Sequence, residues 1–182
     1  WKSLFLGSVS NAVLAESKRP LLLLRDEVPA TGDRLRVGIA VDGSAYGEAA
    51  TDYVLAHKDF FGADPDFRVL HVVRDYQALV ATTSVEYVMP TVSTEEFEKS
   101  TAEEFEKTVA PVLERFEKAD VPVQAEKLSG FPSEAIAKYA KNELDLLVIG
   151  SHGYGNFKSA VLGSTAMHIA AECKVPLLVV RR

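Results

Sequence analysis

Cysteine is almost absent from this 182-residue chain, Cys173 being its one thiol. A single thiol forms no internal disulfide and no multi-thiolate metal site. Such scarcity fits a reducing compartment, so a cytoplasmic location is expected. Histidine is scarce too: His57, His71, His152 and His168 lie far apart, and a metal centre would need a convergence that their spacing does not imply. Long apolar runs are missing. Stretches such as Leu21 to Leu24 fall far short of the ~20 residues that cross a bilayer, so neither a transmembrane helix nor a membrane partner is expected. Basic residues are the minority, 20 Lys and Arg against 26 Asp and Glu for a formal charge of −6. That balance opposes nucleic acid as a partner, because non-specific binding rests on Lys and Arg neutralising phosphates. The chain opens on Trp1, and no basic start leads into a long apolar run there, so no signal peptide is read. An upstream segment is expected to be missing.

What is present is a globular composition, 47% hydrophobic and 25% charged, long enough for one domain plus a little at ~100 to 200 residues per domain. The surplus is explained by an internal repeat. Lys2 to Arg25 aligns without gaps on Lys158 to Arg181, an offset of 156, and 12 of the 24 positions are identical. Leu6-Gly7-Ser8 matches Leu162-Gly163-Ser164, and Pro20-Leu21-Leu22 matches Pro176-Leu177-Leu178. Keeping the glycine, the proline and the spacing together marks a duplication. Residues 1–25 therefore read as the end of one copy, 26–33 (DEVPATGD) as a linker and 34–182 as a complete second copy.

Within that copy, Arg36 to Val41 reads as a strand running into Asp42-Gly43-Ser44, where Ser44 caps a helix through Ala56. Phe67 to Val73 is a second strand, and Arg74 to Val92 an irregular excursion. From Thr94, the positions of Phe97, Thr101, Phe105, Val109, Val112, Leu113 and Phe116 follow helical periodicity. Val121 to Leu128 reads as a third strand, Pro132 to about Glu143 as a helix, and Leu144 to Ile149 as a fourth strand. A glycine-rich loop, a helix over roughly Ser159 to Glu172 and a fifth strand, Pro176 to Val180, complete the copy. Strands that alternate with helices and are almost continuously apolar imply an α/β fold. Its open five-stranded parallel sheet would carry helices on both faces, plus an N-terminal helix–strand remnant of the other copy.

In such a sheet, ligands bind beyond the carboxyl ends of the strands. The conspicuous residues fall there: Val41-Asp42-Gly43-Ser44, His71-Val72-Val73, and Ile149-Gly150-Ser151-His152-Gly153. The loop from Gly150 to Thr165, GSHGYGNFKSAVLGST, fits neither a Walker A loop nor the dinucleotide fingerprint. It does contain Gly150-x2-Gly153-x9-Gly163-Ser164, and a glycine-rich loop entering a helix amino terminus suits a phosphate.

G-x2-G-x9-G-[ST] between a strand and a helix, with VDGS ending the first strand and HVV the second, resembles the universal stress proteins of the ATP-binding class. The resemblance covers residues 35–182, and the remnant is similar to the end of a second such domain. It implies a Rossmann-like fold of the adenine nucleotide alpha hydrolase kind and a stress-response regulatory module that binds ATP, with or without Mg2+. It also implies site roles. Asp42 would meet the adenine or ribose side, Val72 would contact adenine through its backbone, and Ile149 would border the sugar or base. Gly150 and Gly153 would let the backbone approach ribose and phosphates. Gly163, Ser164 and Thr165 would donate to the phosphates. Pairing through the last strand is implied as well, as a homodimer or as an intramolecular pseudo-dimer in which Pro20 to Leu24 lies antiparallel to Pro176 to Val180. The alternatives are a slow ATP hydrolase, for which no general base stands out, and a dimerisation module without nucleotide.

Structural roles compete for each residue. Asp42 could cap the following helix, and the glycines could serve tight turns. His152 reads as loop polarity or a surface hydrogen bond, His71 as a satisfied strand-end histidine, Lys158 as a solvated lysine and Cys173 as a half-buried structural residue.

Overall fold

A computed structural model of the chain describes residues 7–25, 32–75, 93–153 and 162–182. Most of the excursion at 74–92, most of the linker, and Lys158 lie outside the described residues. The elements are α1 (Ser8–Glu16), β1 (Leu21–Leu23), β2 (Arg36–Ala40), α2 (Ala45–Ala56), a 3-10 turn (Lys58–Phe61), β3 (Asp66–Val73), α3 (Thr94–Lys118), β4 (Val123–Ser129), α4 (Pro132–Glu143), β5 (Leu146–Gly150), α5 (Ser164–Glu172) and β6 (Leu177–Val180).

Among the described residues, six strands form one sheet in the order β1-β6-β5-β2-β3-β4. The five strands from β2 onward are parallel, and β1 adds an antiparallel edge that makes the sheet mixed. Both sheet faces are covered, as continuously apolar strands require. On one face α2 and α3 pack Val54, Val109, Val112 and Phe116 against Val37, Ile39, Phe67 and Val69. On the other, α4, α5 and α1 pack Ile136, Ala140, Ile169 and Leu14 against Leu70, Leu147, Ile149 and Leu177.

Local chemistry sets the element ends. Ser44 caps α2 by accepting from the Gly47 N–H, and Asp42 Oδ1 accepts from the Ser44 N–H at 3.0 Å, which fixes the turn in between. Ser93 and Glu96 close a capping box at the start of α3. Arg115 on α3 reaches Glu48 at 2.9 Å and Asp52 at 2.6 Å, tying α3 to α2. Several boundaries differ from the expectation. Leu162 and Gly163 are not helical, α5 begins at Ser164 with Gly163 as its N-cap, and the fourth strand starts at Leu146 rather than Leu144. Gly163 takes an extended backbone (φ −60°, ψ 157°) and so is not part of the helix, while Ser159 to Val161 lie outside the described residues. The third strand starts two residues later than read, at Val123, and Val41 lies just past the end of β2.

The two aligned segments take matching local structure. α1 and α5 start and end 156 residues apart, and both have an extended glycine N-cap. β1 runs antiparallel to β6 with Leu22 opposite Leu178, its own repeat counterpart, so a pseudo-two-fold axis passes through that pair. Around the axis, Arg25 donates to the Ala170 carbonyl and Arg181 donates to the Leu14 carbonyl. These are equivalent bonds. Neither α1 nor α5 has a basic residue in its last turn, and each receives a guanidinium from across the axis. Burial pushes the Arg181 guanidinium below its ordinary value. Cys173 follows α5, is almost fully buried, and burial pushes its thiol up.

At the amino ends of the central strands, Asp145 accepts from the Arg36 backbone N–H at 2.9 Å and from its guanidinium at 3.0 and 3.1 Å. Burial raises the Asp145 carboxyl, but the Arg36 bonds and charge outweigh it and hold the group below the usual carboxylate range. A folded-state value below the unfolded one stabilises the fold above the ordinary carboxylate range, and that contribution is lost as pH falls through the depressed value. Asp145→Asn is therefore expected to lose about 2 kcal/mol at pH 7 and to flatten the acid limb of a urea-stability profile. An unchanged profile would count against the assignment.

Candidate functional site

The strand order reverses at β2: β5 lies on one side and β3 on the other. Their carboxyl ends border a cavity of about 320 Å³. Its lining includes all eight residues singled out from the sequence: Asp42, Val72, Ile149, Gly150, Gly153, Gly163, Ser164 and Thr165. Pro132 and Ile136 from α4 add an apolar wall beside Val72 and Ile149. One end of the cavity is thus apolar and the other polar.

The polar end is the start of α5. Gly163 has no side chain with which to cap, and its own N–H donates to the Ser151 carbonyl at 2.9 Å. The first-turn N–H groups of Ser164 and Thr165 have no intrahelical partner, and no acidic residue stands in that turn. Uncapped amides and the positive end of the helix dipole favour an anion there.

The glycines earn their place by close approach. A Cβ at Gly150 would lie 2.7 Å from the Tyr46 carbonyl oxygen, and one at Gly153 would strike the Asp42 carboxylate. Their absence of side chains thus lets the β5 end and its loop pack against the β2–α2 turn. That is a protein-to-protein contact, added to the expected approach of a ligand. Asp42 does not cap α2, a role that Ser44 takes; its Oδ1 instead holds the turn before the cap, and the residue lines the cavity.

Two histidines have more definite positions than their sequence settings disclosed. His152 lines the cavity, its Nδ1 lies 3.0 Å from Ser151 Oγ, and its ring packs on Tyr46 at a centroid distance of 4.9 Å. The sequence signal was its place between Gly150 and Gly153. His71 is buried, and its Nδ1 donates to the Val41 carbonyl at 2.9 Å. Its place beside Val72 is the only hint the sequence holds.

An open α/β sheet with a half-apolar crevice at its switch point and an uncapped helix start is the layout of a small-molecule-binding domain. The universal stress protein family model matches residues 34–181, and the chain belongs to that family. A universal stress protein of Mycolicibacterium smegmatis is 30% identical over 177 residues, covering 97% of this chain and 56% of the relative. The chain thus spans little more than half of that relative's length. Among solved structures, the Methanocaldococcus jannaschii protein MJ0577 aligns with a TM-score of 0.65 at 25% identity, over 81% of this chain and 96% of its own. An Arabidopsis thaliana family member with AMP bound (TM-score 0.53, 18% identity, 81% of this chain and 92% of its own) shares the fold. So does a universal stress protein in complex with cAMP (TM-score 0.52, 17% identity, 81% and 96%).

Gly150→Ala is expected to destabilise the fold by about 1 to 3 kcal/mol, because the backbone of Tyr46 blocks the added methyl. Gly32→Ala, exposed and with nothing within 4 Å of its added Cβ, is the control and should change stability by under about 0.5 kcal/mol. Chemical denaturation of both variants checks the contrast.

Proposed function

We propose that this chain binds an adenine nucleotide, with ATP as the reference ligand, and acts as a stress-response regulatory module in the cytoplasm. The observation that carries the reading is the convergence of all eight expected residues on one cavity whose polar end is the start of α5. The base would lie toward Val72, Pro132 and Ile136, with Asp42 and Ile149 near the ribose. The phosphates would lie on the amides of Gly163, Ser164 and Thr165, beside Gly150 and Gly153. Relatives that hold AMP and cAMP on the same fold support the ligand class. Backbone amides and hydroxyls at that end match phosphate without a basic patch, which accommodates the acidic balance of the chain.

Calorimetry on protein stripped of ligand is expected to detect ATP and AMP, and no binding at millimolar ATP would overturn the reading. Gly153→Val should abolish binding by driving a side chain into Asp42. Ser164→Ala should weaken it about fivefold, or ~1 kcal/mol.

The domain boundaries belong to the same proposal: residues 1–25 close a first universal stress domain, 26–33 link, and 34–182 form a second. Equal element bounds, the two equivalent arginine bonds and a relative of nearly twice the length support it. Three apolar residues, Val13 on α1, Leu22 on β1 and Leu24 just past it, are exposed, whereas Ile169, Leu178 and Val180, with which they align, are buried. A first domain would cover them. A chain of residues 34–182 is expected to pair through β6 as a homodimer, with each Arg181 donating to the other copy's Ala170 carbonyl. Light scattering that found it monomeric would count against this pairing.

A further inference from the structure

The ladder between β2 and β3 stops one rung before it could. Its register runs from Arg36–Asp66 to Ala40–Leu70, and the last rung is the Val41 N–H donating to the Leu70 carbonyl at 2.9 Å. In a regular parallel ladder the next rung joins the Val72 N–H to the Val41 carbonyl. Here that carbonyl accepts from His71 Nδ1 instead. A carbonyl only accepts, so Nδ1 carries the proton.

The strand geometry says what this substitution leaves open. The N–H and C=O of one residue point to the same side of a strand, and the side alternates along it. The Leu70 carbonyl faces β2, while the Val73 carbonyl takes the Gly130 N–H on the β4 side. Val72 therefore presents both backbone groups toward β2, at the mouth of the cavity it lines. The imidazole is held from behind by α3: Glu104 Oε1 lies 3.6 Å from Nε2, and the Phe105 ring stacks at 6.4 Å. The ring is too confined to leave the Val41 carbonyl easily, with His71 only 6% exposed.

We propose that His71 is a positioning residue: it occupies the Val41 carbonyl in place of a ladder rung and so keeps the Val72 N–H and C=O available to the base of a bound nucleotide. The proposal rests on the nucleotide reading for its ligand, but not for its effect on the strands. It also accounts for a buried histidine among Val69, Leu70, Val72 and Val73, the apolar residues that end β3. A leucine there would pack as well, yet it would let the strands zip shut by one rung.

Amide exchange followed by NMR on the full 182-residue chain tests the strand effect without ligand. The Val72 amide of the wild type is expected to exchange at least about tenfold faster than that of Leu70. In His71→Leu the Val72 amide should slow at least about tenfold. His71→Asn, whose side-chain amide can reach the Nδ1 position, should keep the wild-type pattern. In ATP titrations His71→Leu is expected to weaken binding at least about tenfold, with His71→Asn within about threefold of the wild type. Equal ATP affinity for the wild type and His71→Leu, or equal losses in both variants, overturns the proposal. So does a Val72 amide already protected in the unliganded wild type. A wild-type chain that binds no ATP sinks the nucleotide reading alone, and the exchange rates still decide the role of His71. Should His71→Leu fail to fold, wild-type exchange and the His71→Asn titration carry the decision.

Discussion

The working end of this fold depends on where β2 lets go of its neighbours. At its amino end β2 is fastened to the segment entering β5 by the Arg36–Asp145 pair: the fully buried carboxylate accepts from the Arg36 backbone N–H, and the Asp145 N–H donates to the Arg36 carbonyl. At its carboxyl end the chain turns away under the control of Asp42 and Gly43, the latter at φ 81°. A sheet fixed at one end and parted at the other has its crevice in one defined place. Gly150 and Gly153 then bring the β5 side close enough to form the second wall.

The molecule is stitched together asymmetrically around that crevice. One sheet face is closed by long α3, capped at its start and clamped to α2 by Arg115. The other is closed by α4 and α5, and the end of α5 is held by Arg25 from the N-terminal segment. α5 therefore has its first turn at the cavity and its last turn at the β1–β6 seam. Nine residues, about 13 Å of helix, separate the two.

Much of this was legible in the sequence. Five strands and their helices appear within a few residues of the read positions because the strands carry their own periods and the helices their own caps, such as Ser44, Ser93 with Glu96, and Pro132. The antiparallel seam was legible because Pro20 to Leu24 repeats the last strand. The start of α5 was not, since Ala160 to Leu162 continues an apolar pattern and only the backbone angles of Gly163 mark the boundary. The partners of His71 and His152 were not legible, for another reason. A histidine's meaning depends on which carbonyl or ring it meets across the fold, here Val41, 30 positions away, and Tyr46, and neither pairing leaves a local trace.

The axis through Leu22 and Leu178 has a genetic consequence. In a symmetric pair of identical chains, one codon would specify both residues on the axis, and any substitution would be felt twice at the same contact. Within this chain the two leucines are encoded separately, as are Arg25 and Arg181. Either half of the seam can change while the other stays as it is. Leu23 and Leu24 already differ from Val179 and Val180, the residues they align with.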